Sequence, residues 1–206
     1  MQDSFYFYET QNGHGLPHDP FKAIVGPRPI GWIGSTSLDG INNLAPYSFF
    51  NAINSDPPMI GFTSTGYKDS VKNIAQTSEF TWNLVTKPLV EAMNMSCASV
   101  PPNVDEFELA QLTPAPSKII KAPRVLASPV SFECKLSEII QLKDTNKEPL
   151  ESWFVIGHVV AVHILQSALK DGLYDTASMQ HVMRGGGPAD YFTVGPEQLF
   201  KLYRPR

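Results

Sequence analysis

Cysteine is scarce in this sequence, and so is charge of either sign. Only Cys97 and Cys134 occur among 206 residues, widely separated and outside any CxxC pair, which argues against a disulfide scaffold and for a reducing compartment. We interpret both as buried thiols without a catalytic role. Charged residues make up 17% of the chain, the formal net charge is −4 and no run of basic residues occurs, so nucleic acid is not an expected partner.

Long apolar runs are also absent. The longest, Trp153–Leu165, contains two histidines and is too short to cross a bilayer. The first residues lack the basic start and the apolar core of a secretory signal. The sequence therefore predicts a cytoplasmic protein with no membrane partner.

Several catalytic motifs are missing as well. The sequence has no Walker A lysine loop, no GxGxxG after a predicted strand and no GxSxG elbow, which argues against a Rossmann nicotinamide site and a serine hydrolase. His14 and His18 lie in a loop rich in Gly and Pro, and His158 and His163 point to opposite faces of a predicted strand. We therefore expect no metal site, interpret His158 and His163 as packed or cavity-lining side chains, and single out no catalytic residue.

What the sequence does contain is a series of short strand patterns. Val130–Ser137 alternates apolar and polar residues, and Trp153–Leu165 is apolar at nearly every position, which predicts a half-buried strand and a central strand covered on both faces. Five or six strands with short helices at 89–97 and 105–110 indicate a mainly β fold, an antiparallel barrel with helical decorations. The other predicted strands are 29–37, which turns at Leu38–Gly40, then 59–64 and 80–85.

The length and composition fit one domain spanning residues 1–206. With 42% hydrophobic residues, the chain is long enough to bury a substantial core. Residues 1–20 form an N-terminal extension to the strand pattern, and residues 100–129 form a proline-rich excursion. A segment of that length without regular structure is typical of a functional or partner-covering arm, although a plain surface excursion fits the pattern too.

The most chemically specific stretch is the helix start at Lys68-Asp69-Ser70. Asp69 or Ser70 is the expected N-cap, followed by apolar residues at helical spacing. The backbone N–H groups and positive dipole end of such a helix, with Ser70 and Lys68, suit a phosphate, while an ordinary capped surface helix is the alternative. Upstream, Pro46 removes a backbone donor and favours an edge strand or a bulge with backbone open to a ligand. Arg184, beside three glycines, is able to meet a phosphate or the electron-rich part of a ring.

These stretches belong to a pattern that extends in register over roughly residues 20–195. The residues that carry it are Arg28-Pro29, Asn43–Phe50, Asp56–Ile60, Lys68–Ser70 with Asn73, Glu79-Phe80, Val104–Phe107 with Leu112–Pro114, Ser128–Val130 with Glu133–Leu136, Gly157–Val160, and Gly186-Gly187 with Tyr191. In these residues the sequence resembles the flavin reductase-like, FMN-binding split-barrel family, especially its flavoredoxin-like branch. Gln111 departs from the pattern, because a glycine is expected at that position.

The resemblance implies a Greek-key split β-barrel that forms a homodimer with FMN between the subunits. The cofactor-binding residues that it implies are Ala45, Pro46, Tyr47 and Ser48 at the isoalloxazine ring, Phe62, Thr63 and Ser64 along the ring and ribityl chain, Lys68, Asp69 and Ser70 at the phosphate, and Asn73, Arg28 and Arg184 as further candidates. The phosphate assignment agrees with the independent interpretation of the helix start.

Three functions are open at this point. The first is an FMN-dependent oxidoreductase that takes hydride from NADH or NADPH; a reduced nicotinamide stacked on the flavin needs no side chain as acid or base. The second is a flavoredoxin-type electron carrier with tightly held FMN and a protein redox partner. The third is a barrel that binds a non-flavin ligand.

Overall fold

The computed structural model describes residues 5–205, and the strands in this range pair antiparallel. In chain order the strands are β1 (Arg28–Pro29), β2 (Gly31–Thr36), β3 (Asn42–Tyr47), β4 (Phe50–Ser55), β5 (Pro58–Thr65), β6 (Glu79–Asn83), β7 (Pro114–Ala115), β8 (Arg124–Val125), β9 (Val130–Lys143), β10 (Pro149–Ile164), β11 (Leu169–Lys170), β12 (Leu173–Tyr174), β13 (Val182–Arg184) and β14 (Tyr191–Thr193). The helices are α1 (Phe21–Ile24), α2 (Asp69–Thr77), α3 (Val90–Met95) and α4 (Glu106–Leu109). Single 3₁₀ turns lie at Thr10–Asn12, Lys87–Leu89, Gln166–Ala168 and Pro196–Gln198.

One seven-stranded sheet dominates the structure, in the order β3-β2-β6-β9-β10-β5-β4. Tyr47 of β3 packs on Phe62 of β5 with ring centroids 4.6 Å apart, although β3 and β5 are the first and sixth strands of this sheet. Since neighbouring strands are about 4.8 Å apart, this contact requires the sheet to curl round on itself. The antiparallel barrel that the strand pattern predicts is therefore confirmed.

Two apolar clusters fill the fold. The barrel interior holds Ile33, Phe62, Phe80, Val155 and their neighbours, with Val71 and Ile74 of α2 packed into it. A second cluster lies under α3 and α4 and contains Trp32, Leu44, Met93 and Phe107. The α2 helix is held at one end of the barrel because its apolar stripe is buried there, and this fixes the position of its N-terminus.

The local turn and proline signals agree with the structure. Gly40 has a φ of +84° in the turn that joins β2 to β3, a conformation that glycine adopts without steric cost. Pro46 lies on β3, which is an edge strand, so its missing N–H does not interrupt a ladder. Gln111 follows α4 with a φ of +55°, which explains why a glycine is expected there: non-glycine residues are strained in this region.

Two local predictions are corrected. The N-cap of α2 is Lys68, not Asp69 or Ser70, and no side chain caps the helix. The Ser70 hydroxyl instead donates to Asn43 Oδ1 at 3.4 Å, so it does not cap the helix, and both residues line the cavity at the helix start. Separately, none of the predicted strands covers β4, which forms a hairpin with β5 and lies at the other edge of the sheet.

The prediction that Trp153–Leu165 is covered on both faces is wrong. β10 is an interior strand, and Val155 and Val159 are buried in the barrel. Its outer face is open, however: Val162 is 52% exposed, and His158 is exposed as well, contrary to its assignment as a packed residue. No described element lies over that part of the sheet. An apolar run predicts that a strand face is suited to burial, but it does not show what packs against that face.

The proline-rich segment 100–129 is fixed to the barrel by a buried carboxylate. Glu133 on β9 is fully buried and accepts backbone N–H bonds from residues 118–120, at 2.7, 2.7 and 3.1 Å. His163 Nε2 lies 2.6 Å from the same carboxylate. Burial alone would raise the pKa of Glu133, but these hydrogen bonds outweigh it and lower the pKa to about 2. The segment 100–129 is therefore held against one side of the barrel. It contains α4 and the paired strands β7 and β8.

Candidate functional site

A cavity opens where β3 ends beside the start of α2. Its volume is about 430 Å³, within the range of cofactor pockets in proteins. Four elements enclose it: the edge strand β3, the first turn of α2, the loop 96–100 that follows α3, and the start of α4. The residues around this main cavity are Asn43, Ala45, Pro46, Tyr47, Lys68, Asp69, Ser70, Ser96, Cys97, Ala98, Ser99, Val100 and Glu106.

The first turn of α2 brings unsatisfied donors to the cavity wall. Lys68 is in extended conformation at the N-cap, and no side chain accepts from the following N–H groups. Because the first N–H groups of a helix have no acceptor within the helix, they are open to an outside ligand. Ser70 is 1% exposed and the Lys68 side chain is exposed beside it. A nine-residue helix with this end suits a phosphate group.

Tyr47 forms the part of the wall nearest the barrel interior. Its pKa is raised, chiefly by burial; hydrogen bonds with Ser70 and Ser64 oppose this, and the charges of Asp69 and Glu106 add to it. The phenol therefore keeps its proton at neutral pH, and its ring is fixed against Phe62 in the core. It offers the cavity a hydroxyl donor in a fixed place.

Carboxylates also border the main cavity. Glu106 is 8% exposed, and its Oε2 accepts the backbone N–H of Leu44 at 3.1 Å. Burial raises the pKa of Glu106, the Leu44 hydrogen bond opposes that, and the carboxylates of Asp69 and Asp105 raise it further. Lys68 is the one cation among the cavity residues. The positive charge of Lys68 is therefore partly offset by two carboxyl groups of the same cavity, those of Asp69 and Glu106.

The sequence-based candidates divide between three places. Six of them line the main cavity: Ala45, Pro46, Tyr47, Lys68, Asp69 and Ser70. Ser48 and Arg184 line a smaller side cavity of about 110 Å³, which shares Pro46, Tyr47 and Cys97 with the main one. Arg28 and Thr63 line a separate apolar groove beside Phe49 and Phe50.

The remaining candidates have structural partners. Phe62 and Ser64 are fully buried, and the Ser64 hydroxyl donates to the Gly66 carbonyl at 2.8 Å. Asn73 is also buried, and its Nδ2 donates to Ser35 Oγ at 3.3 Å. Arg28 is 7% exposed and donates to the backbone carbonyls of Lys22, Val25 and Gly185.

Sequence reasoning missed part of the main cavity. Asn43 and Glu106 lie inside motifs that carry the family resemblance, so a signal for them was present. The loop 96–100 carries no such signal. The interpretation of Cys97 as a buried thiol is wrong, because this residue is exposed at the wall shared by both cavities, whereas Cys134 is buried in the barrel. Along residues 5–205, no helix is long and apolar enough to span a membrane, and no three metal-ligating side chains are grouped.

A split barrel that joins an open strand edge to an uncapped helix start has the architecture of a flavin-binding protein of the split-barrel class. The family model named "Flavin reductase like domain" matches residues 26–183. The chain belongs to the flavin reductase-like family.

Comparisons with individual proteins agree with this family. An uncharacterised protein of Aquifex aeolicus is 38% identical over 161 residues, which cover 74% of this chain and 79% of the relative. The structure of nitrilotriacetate monooxygenase component B from Bacillus cereus superposes with a TM-score of 0.86 at 29% identity, covering 97% of this chain and all of that one. Flavoredoxin of Desulfovibrio vulgaris superposes with a TM-score of 0.75 at 25% identity, covering 86% and 91%.

Proposed function

We propose that this protein is an FMN-dependent oxidoreductase that draws its electrons from NADH or NADPH. The observation that carries the proposal is the main cavity, in which an uncapped helix N-terminus faces the open backbone edge of β3. A cofactor with a phosphate and a flat ring system fits such a pocket, because the helix N-terminus suits the phosphate and the strand edge suits the ring. Membership of the flavin reductase-like family supports an oxidoreductase activity.

The helix start is the proposed phosphate site. The backbone N–H groups of residues 69–71, the Ser70 hydroxyl and the Lys68 ammonium are the donors available there. Asp69 and Glu106 oppose a second negative charge, so affinity depends strongly on Lys68 and on the backbone donors.

The isoalloxazine ring is assigned to the open edge formed by residues 45–48. Pro46 presents no N–H, and the Tyr47 ring, held against Phe62, gives a rigid wall. When bound, the flavin supplies the hydride and electron chemistry. The protein contributes position and orientation, and it limits water on the buried side of the ring.

Substitution at the helix start tests the cofactor assignment. Lys68→Ala combined with Ser70→Ala is expected to weaken FMN binding by about tenfold, because charge-assisted hydrogen bonds to phosphate are lost. Binding is measured by the quenching of flavin fluorescence on titration. Lys72→Ala, one turn further along the same helix and exposed, is the matched control and should leave the affinity unchanged. Equal affinities of the two variants would contradict the phosphate site.

A flavoredoxin-type electron carrier is the second candidate function, favoured by the similarity to flavoredoxin of Desulfovibrio vulgaris. In that case FMN is retained through purification, and a protein supplies the electrons. Steady-state oxidation of NADH or NADPH separates the two functions, since the carrier shows no turnover with a nicotinamide. A colourless protein whose spectrum does not change on addition of FMN would instead support a non-flavin ligand.

The proposed assembly is a homodimer. The outer face of β10 and both ends of the described chain carry exposed apolar side chains, Val162 and Phe200 among them. Large exposed apolar areas of this kind mark interaction surfaces in other proteins.

A further inference from the structure

Along residues 5–205 Arg184 forms no ion pair, although Asp19 and Asp190 line a groove on its other side. Its Nη1 donates to the Asp190 carbonyl at 2.7 Å and its Nη2 to the Pro188 carbonyl at 2.9 Å, and the guanidinium lies 4.8 Å from the centroid of the Tyr191 ring. All three partners are formally neutral. The one ion pair found along residues 5–205 joins His163 to Glu133. Arg184 is therefore fixed in place and still has N–H donors to offer.

A second arginine lies directly across the ladder. Arg28 of β1 is the register partner of Arg184 of β13, and like charges in opposed positions of a sheet are destabilising. Arg28 also binds only backbone carbonyls, and its buried Nε has no partner. Arg28 lines the separate groove beside Phe49 and Phe50 and not the side cavity, so its charge adds to the potential near Arg184 without contacting a ligand there.

The side cavity that Arg184 lines contains no carboxyl group. Its other residues are Ile30, Pro46, Tyr47, Ser48, Met93, Cys97 and Tyr191. The charges of Arg184 and Lys68 are both felt at Cys97 in the cavity wall. Burial raises the pKa of the Cys97 thiol, and these two positive charges act to lower it. This contrasts with the main cavity, where Asp69 and Glu106 are present.

The size of the side cavity limits what it holds. Its volume of about 110 Å³ is about a quarter of the 430 Å³ of the main cavity, so a second nucleotide does not fit. A carboxylate with the first atoms of its carbon skeleton does. A guanidinium is the side chain best suited to bind such a group through two parallel hydrogen bonds.

We propose that the side cavity binds the carboxylate of a small organic acid through Arg184, and that this acid is a substrate beside the cofactor in the main cavity. The proposal rests on the proposed function, because the shared wall of Pro46, Tyr47 and Cys97 places the acid next to the assigned ring site. Arg184 is then a substrate-binding residue, not a ligand of the FMN phosphate.

The test uses the FMN-loaded protein and two probes of nearly equal shape, benzoate and benzamide. Each is titrated while the visible flavin spectrum is recorded. Benzoate is expected to bind about tenfold or more tightly than benzamide, because only its charged form gains the charge-assisted hydrogen bonds. This comparison needs no variant and so does not depend on the folding of one.

Variants of Arg184 then show whether this arginine causes the preference for benzoate. Arg184→Gln should abolish the preference for benzoate and change the affinity for FMN by less than about threefold, while Arg184→Lys retains part of the preference as a point charge. Arg204→Gln, the same chemical change at an exposed position, should leave both affinities unchanged. A merely structural role of Arg184 would lower the binding of both probes equally.

Four outcomes overturn the proposal. Equal binding of benzoate and benzamide, or a preference that survives in Arg184→Gln, removes the carboxylate site and leaves the FMN assignment intact. A tenfold or greater loss of FMN affinity in Arg184→Gln makes the arginine a cofactor ligand instead. Failure of the unmodified protein to bind FMN overturns the proposed function, which fluorescence titration reveals before any probe is added.

Discussion

A single buried carboxylate, that of Glu133, ties a long irregular segment to the barrel. It accepts three backbone N–H groups and faces His163. Glu133→Gln keeps the shape but turns an NH₂ group towards backbone donors, leaving buried groups without partners. We expect the free energy of unfolding to fall by about 3 kcal/mol at neutral pH, which matches a pKa lowered to about 2. Urea unfolding measures the change, and Glu138→Gln at an exposed site on the same strand is the control.

The same residue predicts an acid dependence. A carboxyl group whose pKa is lower in the folded state stabilises that state once it is ionised in both states, and this contribution disappears as protons bind. For Glu133 the window runs from its ordinary pKa of 4.5 down to about 2. The stability difference between the unmodified protein and Glu133→Gln should therefore shrink as the pH falls through this window. A difference that does not change with pH would contradict the assignment.

At the scale of elements, Gly157 of β10 leaves space for the Phe80 ring of β6, the strand on the far side of β9. A Cβ added at this position would overlap the Phe80 ring and lie 3.2 Å from the Cβ of Cys134. Gly157→Ala is expected to lower the free energy of unfolding by about 1–3 kcal/mol, because a packed interior cannot accommodate the added methyl without strain. Gly195→Ala, where the nearest atom to the added Cβ is 3.4 Å away at the end of a side chain, should have little effect in the same urea measurement.

The elements were predictable where the cause is local. The turn at Gly40, the edge position of Pro46 and the helix after Lys68 follow from backbone conformation and hydrogen bonding within a few residues. The exposure of Cys97 was not, because it depends on the path of the loop 96–100 past β3. Likewise, an apolar run such as that of β10 does not say whether its outer cover belongs to the same chain.

At the scale of the whole molecule, the two ends of the described chain expose large apolar side chains. Phe5 is 99% exposed, Phe200 79% and Leu202 88%, and exposed apolar surface marks interaction sites in other proteins. We expect light scattering after gel filtration to give twice the 22.8 kDa of one chain. Phe200→Ser with Leu202→Ser should shift the protein towards monomer, and Leu38→Ser, exposed in the β2–β3 turn, should not. A monomer at tens of micromolar would contradict the dimer.

The contrast between the two cysteines gives the protein a built-in chemical reporter. Cys97 is exposed at the wall between the cavities, and Cys134 is buried in the core with a raised pKa. An alkylating reagent should therefore add a single group, because only Cys97 is accessible. Mildly alkaline pH is used because partial burial raises the pKa of the Cys97 thiol and the thiolate is the reactive form. Saturating FMN should slow this reaction several-fold by covering the wall, and intact-mass spectrometry would follow it. Labelling at an unchanged rate would show that the cofactor does not reach Cys97, so one thiol reports occupancy without any engineered probe.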